Sequence, residues 1–255
     1  QVDPKLDSRH DQLGSALVAA PVLVTSGNPL LAMNTVLLLS CFLSGLGAYI
    51  LSRQLGLGQA GALLAGIVFA FTPPRFFRLG QLHLATVQWI PLCLALVHRY
   101  AASGTTRHLL GALALFSLQA LTGGQSALFL ALTVCGLIVY LALFGELRPS
   151  SSLVRDALIC LPIALALNAP FVVPYLRVQQ DLGLERSLDE AREWSPNAAS
   201  FLASPTHVHR WLADKTRLRR ALRDAKAFLF PGLIPLFLVC FAFARASPKL
   251  PSASI

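Results

Sequence analysis

Phe69-Ala70-Phe71-Thr72-Pro73-Pro74-Arg75-Phe76-Phe77-Arg78-Leu79-Gly80-Gln81-Leu82-His83-Leu84-Ala85-Thr86-Val87-Gln88-Trp89-Ile90-Pro91 is the stretch on which the reading of this chain turns. It closes one apolar run, breaks at Pro73-Pro74, and shows Arg75, Arg78, Gln81 and His83 within nine residues. It then re-enters a second apolar run through Gln88-Trp89. A polar interruption between two such runs reads as a connection at a bilayer edge. Two cations and two hydrogen-bonding side chains there suit an anionic headgroup. Arginines that merely snorkel and anchor a helix end would leave the same pattern, so both readings stand on spacing alone.

Composition carries the bilayer beyond this stretch. The chain is 55% hydrophobic and only 13% charged, where a soluble domain has about 25% charged residues. Its mean hydropathy is +0.62, and apolar runs near the roughly 20 residues that a bilayer core requires recur along it. The expected fold class is all-α, a polytopic transmembrane helix bundle of about seven spans with an outer-face loop of mixed helix and coil. Cys41, Cys93, Cys135, Cys160 and Cys240 all lie inside apolar runs, where they act as small apolar side chains. No Cys/His spacing points to a metal, and no cofactor is expected. The net charge of +9 points to anionic lipid headgroups rather than nucleic acid, because the cations are scattered over loops and no aromatic-studded groove accompanies them.

Outward from the opening stretch, residues 1–12 are polar and carry Asp11. The apolar segment Leu13–Val24 is too short to span and holds Pro21, so it reads as interfacial or re-entrant. Span one is expected at about 30–52, where Ser40, Ser44 and Ala48 recur every four residues and admit a close neighbour. Spans two to four are expected at about 58–72, 82–97 and 108–121, and span five, joined to span four by the turn Thr122-Gly123-Gly124-Gln125, ends near Phe144. Span six, about 153–176, contains Pro162, Pro170 and Pro174 and is expected to kink or unwind near Asn168 to Tyr175. The last span is expected at about 228–244. The chain thus divides into a membrane domain with its N-terminal outer segment (1–176), an outer-face loop (177–227), and a last span with a cytoplasmic tail (228–255).

The loops set the orientation. One face holds seven cations in Arg53, Arg99, Arg107, Arg148, Arg155, Arg245 and Lys249, whereas the short loops of the other hold only Arg75 and Arg78. By the positive-inside rule the first face is cytoplasmic, which predicts a multi-pass bacterial inner-membrane protein with its long loop outside. Arg75 and Arg78 then lie where arginine is disfavoured, which strengthens the functional reading of the opening stretch. In the long loop, Arg186 and Glu190 are spaced i, i+4, as a solvated surface pair or as part of an outer site. Asp214 to Lys226 holds six cations against Asp214 and Asp224 and reads as a basic surface helix or a solvated connector. His207-x-His209 is a weak metal signal without acidic or cysteine partners.

Several segments together resemble a group of large bacterial membrane proteins related to GT-C glycosyltransferases of the protein-mannosyltransferase type. They are Gly27-Asn28-Pro29 with Asn34, Ser44 to Tyr49, Phe69-Ala70-Phe71 with Pro73 and Arg75, and Gln88-Trp89 with Pro91. His98-Arg99, Pro174-Tyr175, Arg186-Ser187 with Glu190, Ser195, and Leu229 to Gly232 complete the set. The resemblance implies transfer of a sugar from a polyprenyl-phosphate donor to an outer-face acceptor, with metal used by some members and not by others. It also implies a general base, an acidic residue in the first outer loop. The chain opens on Gln1 without a cleavable leader, so it is expected to be a fragment lacking that loop. Two departures stand out. Pro74 occupies a position where an aromatic is expected, and Gln81 one where histidine is expected; glutamine hydrogen-bonds but shuttles no proton near neutral pH.

Inverting sugar transfer needs a base for the acceptor hydroxyl and cations for the departing phosphate. Arg75 and Arg78 are the candidates for the donor phosphate. Gln81, His83, Gln125, Tyr175 and Arg186 are candidates for the substrate pocket, and Asp11 and Glu190 are the remaining candidate catalytic carboxylates. The competing readings are a non-catalytic carrier or transporter component for lipid-linked glycans and an inactive scaffold. The spans carry no mid-membrane carboxylate, which disfavours an ion-coupled transporter.

Overall fold

The computed structural model describes residues 13–144, 151–182, 187–216, 222 and 224–245. Every regular element among them is helical, with no strand. Two compact units are present, one of residues 1–71 and 78–185 and the other of 72–77 and 186–255.

The first unit is a bundle whose organising helix is α2 (Pro29–Gln54). Its start is written into Gly27-Asn28-Pro29. Gly27 takes the left-handed conformation (φ +64°) and ends α1 (Leu13–Ser26), its amide donating to the Leu23 carbonyl at 2.8 Å. Asn28 Oδ1 then accepts from the amides of Leu30 and Leu31 at 3.0 and 3.1 Å, and Pro29 needs no amide partner at the first helical position. At 26 residues α2 is about 39 Å long, enough to cross the roughly 30 Å apolar core of a bilayer.

Small residues let other helices close on α2. A Cβ on Gly66 of α3 (Gln59–Ala70) would sit 2.7 Å from the Gly45 carbonyl oxygen, so the two backbones touch there. Gly47 leaves the space taken by Pro91 and Leu92 of α6 (Trp89–Ser103). Ser40, Ser44 and Ala48 are buried as their four-residue repeat predicts.

α7 (Thr106–Thr122) and α8 (Gly124–Leu143) follow as an antiparallel pair around the Gly123 connection. Cys93, Val97, Ala112 and Leu130 form the core shared by α6, α7 and α8. α9 (Ser151–Leu182) packs on α7, where Asn168 Nδ2 donates to Ser117 Oγ at 2.9 Å. Near the start of α9, buried Asp156 accepts from the hydroxyls of Tyr100 and Thr106, both at 3.1 Å, and from Arg155 at 2.9 Å.

Two helices, α2 and the 20-residue α8, are long and apolar enough to cross a membrane. Both carry large apolar side chains on their outer faces, among them Leu38, Phe42, Leu128 and Leu132. The segments expected as spans two and seven are shorter, 12 residues in α3 and 13 in the final helix. The expected span three begins later than its apolar run, because residues 82–85 form a separate turn of helix before α6. The expected unwinding near Asn168 to Tyr175 is corrected: α9 is helical throughout its 32 residues. Proline removes one amide per position but leaves φ near helical values, and Asn168 Nδ2 adds a bond to the Ala164 carbonyl at 2.8 Å.

The second unit begins in the opening stretch as α4 (Pro73–Phe76). It continues with α10 (Leu188–Trp194), a 3-10 turn (Ala198–Phe201), α11 (His207–Lys215) and α12 (Leu233–Arg245). Ser200 ties it together. The Leu229 amide donates to the Ser200 carbonyl at 2.9 Å and the Ala227 amide to Ser200 Oγ at 3.1 Å. In the basic tract from Asp214 to Lys226, four of the six cations (Arg217, Arg219, Arg220 and Arg223) lie outside the described residues.

Candidate functional site

Pro73-Pro74 deprives the chain of amides just where α3 would need to continue, so α3 stops and a new short helix starts behind Thr72. Arg75 lies in α4 and is 7% exposed; it belongs to the second unit. Pro73 packs beside Gly232, whose φ of +107° is open only to glycine without strain. Arg78 belongs to the first unit and is exposed. The two arginines that the sequence joins as a phosphate pair therefore belong to different compact units.

Arg78 and Gln81 are brought together. Arg78 Nη1 donates to Gln81 Oε1 at 3.0 Å, and the Gln81 amide closes the turn onto the Arg78 carbonyl at 2.8 Å. Both side chains are exposed, so the amide Nε2 donors of Gln81 and the other guanidinium donors of Arg78 are open to an anion.

His83 follows in α5 (Leu82–Ala85) and is half-buried. The His83 carbonyl lies so close to Gly123 that a Cβ there would approach it to 2.7 Å. Gln125, exposed in the first turn of α8, is two residues further on. Arg78, Gln81, His83 and Gln125 thus share one end of the first unit, where α5 meets the α7–α8 connection.

A buried polar layer holds that end in place. Gln119 Nε2 donates to the Thr86 carbonyl at 3.0 Å and to Ser126 Oγ at 2.8 Å. Ser126 in turn donates to the Gly123 carbonyl at 2.8 Å. Ser40 donates to Gln88 Oε1 at 2.6 Å, joining α2 to the entry of α6. Gln119 is not among the residues singled out from the sequence. The signal that marks it is a glutamine in an apolar run, four residues ahead of the Gly123-Gly124 connection.

Of the remaining candidates, Glu190 belongs to the second unit. Glu190 is exposed in α10, and its amide is capped by Ser187 Oγ at 3.1 Å. Ser187-x-x-Glu190 therefore also works as a helix-start signal. Tyr175 lies on α9, but its side chain, together with Asp11 and Arg186, lies outside the described residues. His207 and His209 do not converge. His207 is exposed, whereas the His209 ring rests on Phe230 at 4.7 Å with both nitrogens shut off from solvent. Among the described residues no three His, Cys, Asp or Glu side chains group as a metal site.

The chemistry available is recognition of an anionic oxygen by Arg78 and Gln81, with His83 and Gln125 nearby for hydroxyl groups. No family model matches the chain, and no curated protein or solved structure matches it either.

Proposed function

We propose that this chain is part of a GT-C-like membrane glycosyltransferase that takes a sugar from a polyprenyl-phosphate donor and passes it to an outer-face acceptor. In this reading about seven helical segments lie in a bacterial inner membrane, with the opening stretch and the 177–227 loop outside. The observation that carries the reading is the Arg78–Gln81 pair, an exposed, donor-rich group with His83 and Gln125 at the same end of the bundle. Donors of this kind stabilise charge that develops on a departing phosphate. Asp11 is the candidate general base.

The test is Arg78→Ala, because an exposed arginine is replaced without opening the core. Membranes bearing wild type and variant are supplied with polyprenyl-phosphate-linked sugars, and transfer is followed together with binding of the donor. The expected result is a loss of roughly 100- to 1,000-fold in transfer, the scale for removing one such donor, with insertion unchanged. Undiminished transfer by Arg78→Ala removes the pair from the mechanism. Donor binding by the wild type without any transfer assigns the chain to a carrier of lipid-linked glycans instead.

A further inference from the structure

α11 has two apolar edges, and only one is covered. Thr206 Oγ1 caps its start by accepting from the His209 amide at 3.4 Å. His209, Leu212 and Ala213 are half-buried and share one face by their spacing. On the other side Val208 and Trp211, spaced i, i+3, are 65% and 59% exposed. Lys215 follows one turn later, its Nζ 5.6 Å from the centre of the Trp211 ring. An indole with a cation over its face is the side-chain pair suited to the boundary between hydrocarbon and headgroup. The ring tolerates both media, and the ammonium meets phosphate.

Two observations choose what covers this edge. The first is continuity within the second unit. His209 rests on Phe230, whose amide is bonded to the Ala203 carbonyl at 3.2 Å, and α12 starts three residues later at Leu233. α12 is apolar and leaves Ile234, Phe237 and Phe241 exposed, so the body that carries α11 is fastened to the start of a helix suited to hydrocarbon. The second is charge. From Lys215 to Lys226 the chain carries Lys215, Arg217, Arg219, Arg220, Arg223 and Lys226 against Asp224. Such a run is attracted to anionic lipid and would be repelled by a basic partner.

We propose that the Val208–Trp211–Lys215 edge of α11 lies on a bilayer surface containing anionic lipid, with the Trp211 indole at headgroup depth. This rests on membrane insertion of α12 and not on sugar transfer.

The experiment places the full chain and its Trp211→Phe variant in vesicles of zwitterionic lipid alone or mixed with anionic phosphatidylglycerol. Brominated lipids then quench tryptophan emission at known depths, and the difference between the two proteins isolates Trp211. The expected difference signal is quenched most by bromine near the headgroup, resists aqueous iodide, and loses this protection when anionic lipid is left out. A Lys215→Glu variant is expected to lose it as well. A Trp211 signal open to iodide and untouched by brominated lipid overturns the proposal. One shielded from both quenchers also overturns it and assigns the edge to a protein partner. Resistance of the chain to alkaline extraction, measured on the same vesicles, separates failure of this surface from failure of membrane insertion itself.

Discussion

The hydroxyl of Tyr100 donates to the buried carboxylate of Asp156 at 3.1 Å, linking the end of α6 to the second turn of α9 across 56 positions of sequence. Thr106 donates to the same oxygen, and Arg155 pairs with the other one at 2.9 Å. One carboxylate thus gathers three helices.

The expected order of damage follows from who loses a partner. Asp156→Ala strands both hydroxyls and removes the partner of Arg155, whereas Tyr100→Phe leaves Asp156 with two remaining donors. Thermal unfolding in detergent is expected to rank Asp156→Ala well below Tyr100→Phe, with wild type highest. Equal melting of the two variants would show that Thr106 and Arg155 contribute nothing at this junction.

Gln119 offers a second test. Gln119→Leu keeps the volume but leaves the Thr86 carbonyl and Ser126 Oγ without their amide donor. An unmet buried acceptor costs about 1–3 kcal/mol, so the variant is expected to unfold at lower temperature. Protease accessibility of the 122–126 connection is expected to rise with it, since Ser126 also holds Gly123.

Glycine substitutions separate close helix approach from ordinary helix propensity. Gly66→Ala drives a methyl against the Gly45 carbonyl and is expected to cost about 1–3 kcal/mol, as overpacking does. Gly136→Ala meets nothing within 4 Å and is expected to be neutral, or to stabilise α8 by up to about 1 kcal/mol. Unfolding of the two variants in matched detergent checks the contrast.

Gln81→Glu tests the proposed anion site without altering its shape. A carboxylate facing Arg78 neutralises the guanidinium that the amide leaves available. Affinity for polyprenyl phosphate, titrated in detergent, is expected to fall about tenfold, which is about 1.4 kcal/mol. Unchanged affinity would take the Arg78–Gln81 pair out of donor binding.

Asn28→Ala removes the cap of α2, which accepts from two amides. A loss of about 0.5–2 kcal/mol is expected, within the range for such caps.

Local chemistry made much of this fold legible. Gly27-Asn28-Pro29 states a helix end and a helix start in three residues, and Pro73-Pro74 states a break. The four-residue repeat of Ser40, Ser44 and Ala48 states a buried face. Each of these signals acts through backbone dihedrals or helical spacing, which neighbouring residues settle among themselves. Helix continuity through Pro162, Pro170 and Pro174 was not legible, because proline's cost depends on what surrounds the helix. The hydrogen bond from Asn168 to Ser117 of α7 is tertiary.

The candidate site divides in the same way. Residue order alone puts Arg78, Gln81 and His83 in one polar interruption between apolar runs, with a proline pair at its start. Packing between distant segments decides that Gly123 brings Gln125 to the same end and that Gln119 braces the turn from 33 positions away. It also decides that Arg75, three residues from Arg78, belongs to a different compact unit. Hydrogen bonds between distant segments depend on which helix faces meet. Those meetings are selected by shape and by the need to pair every buried polar group, and nearest-neighbour spacing does not record them.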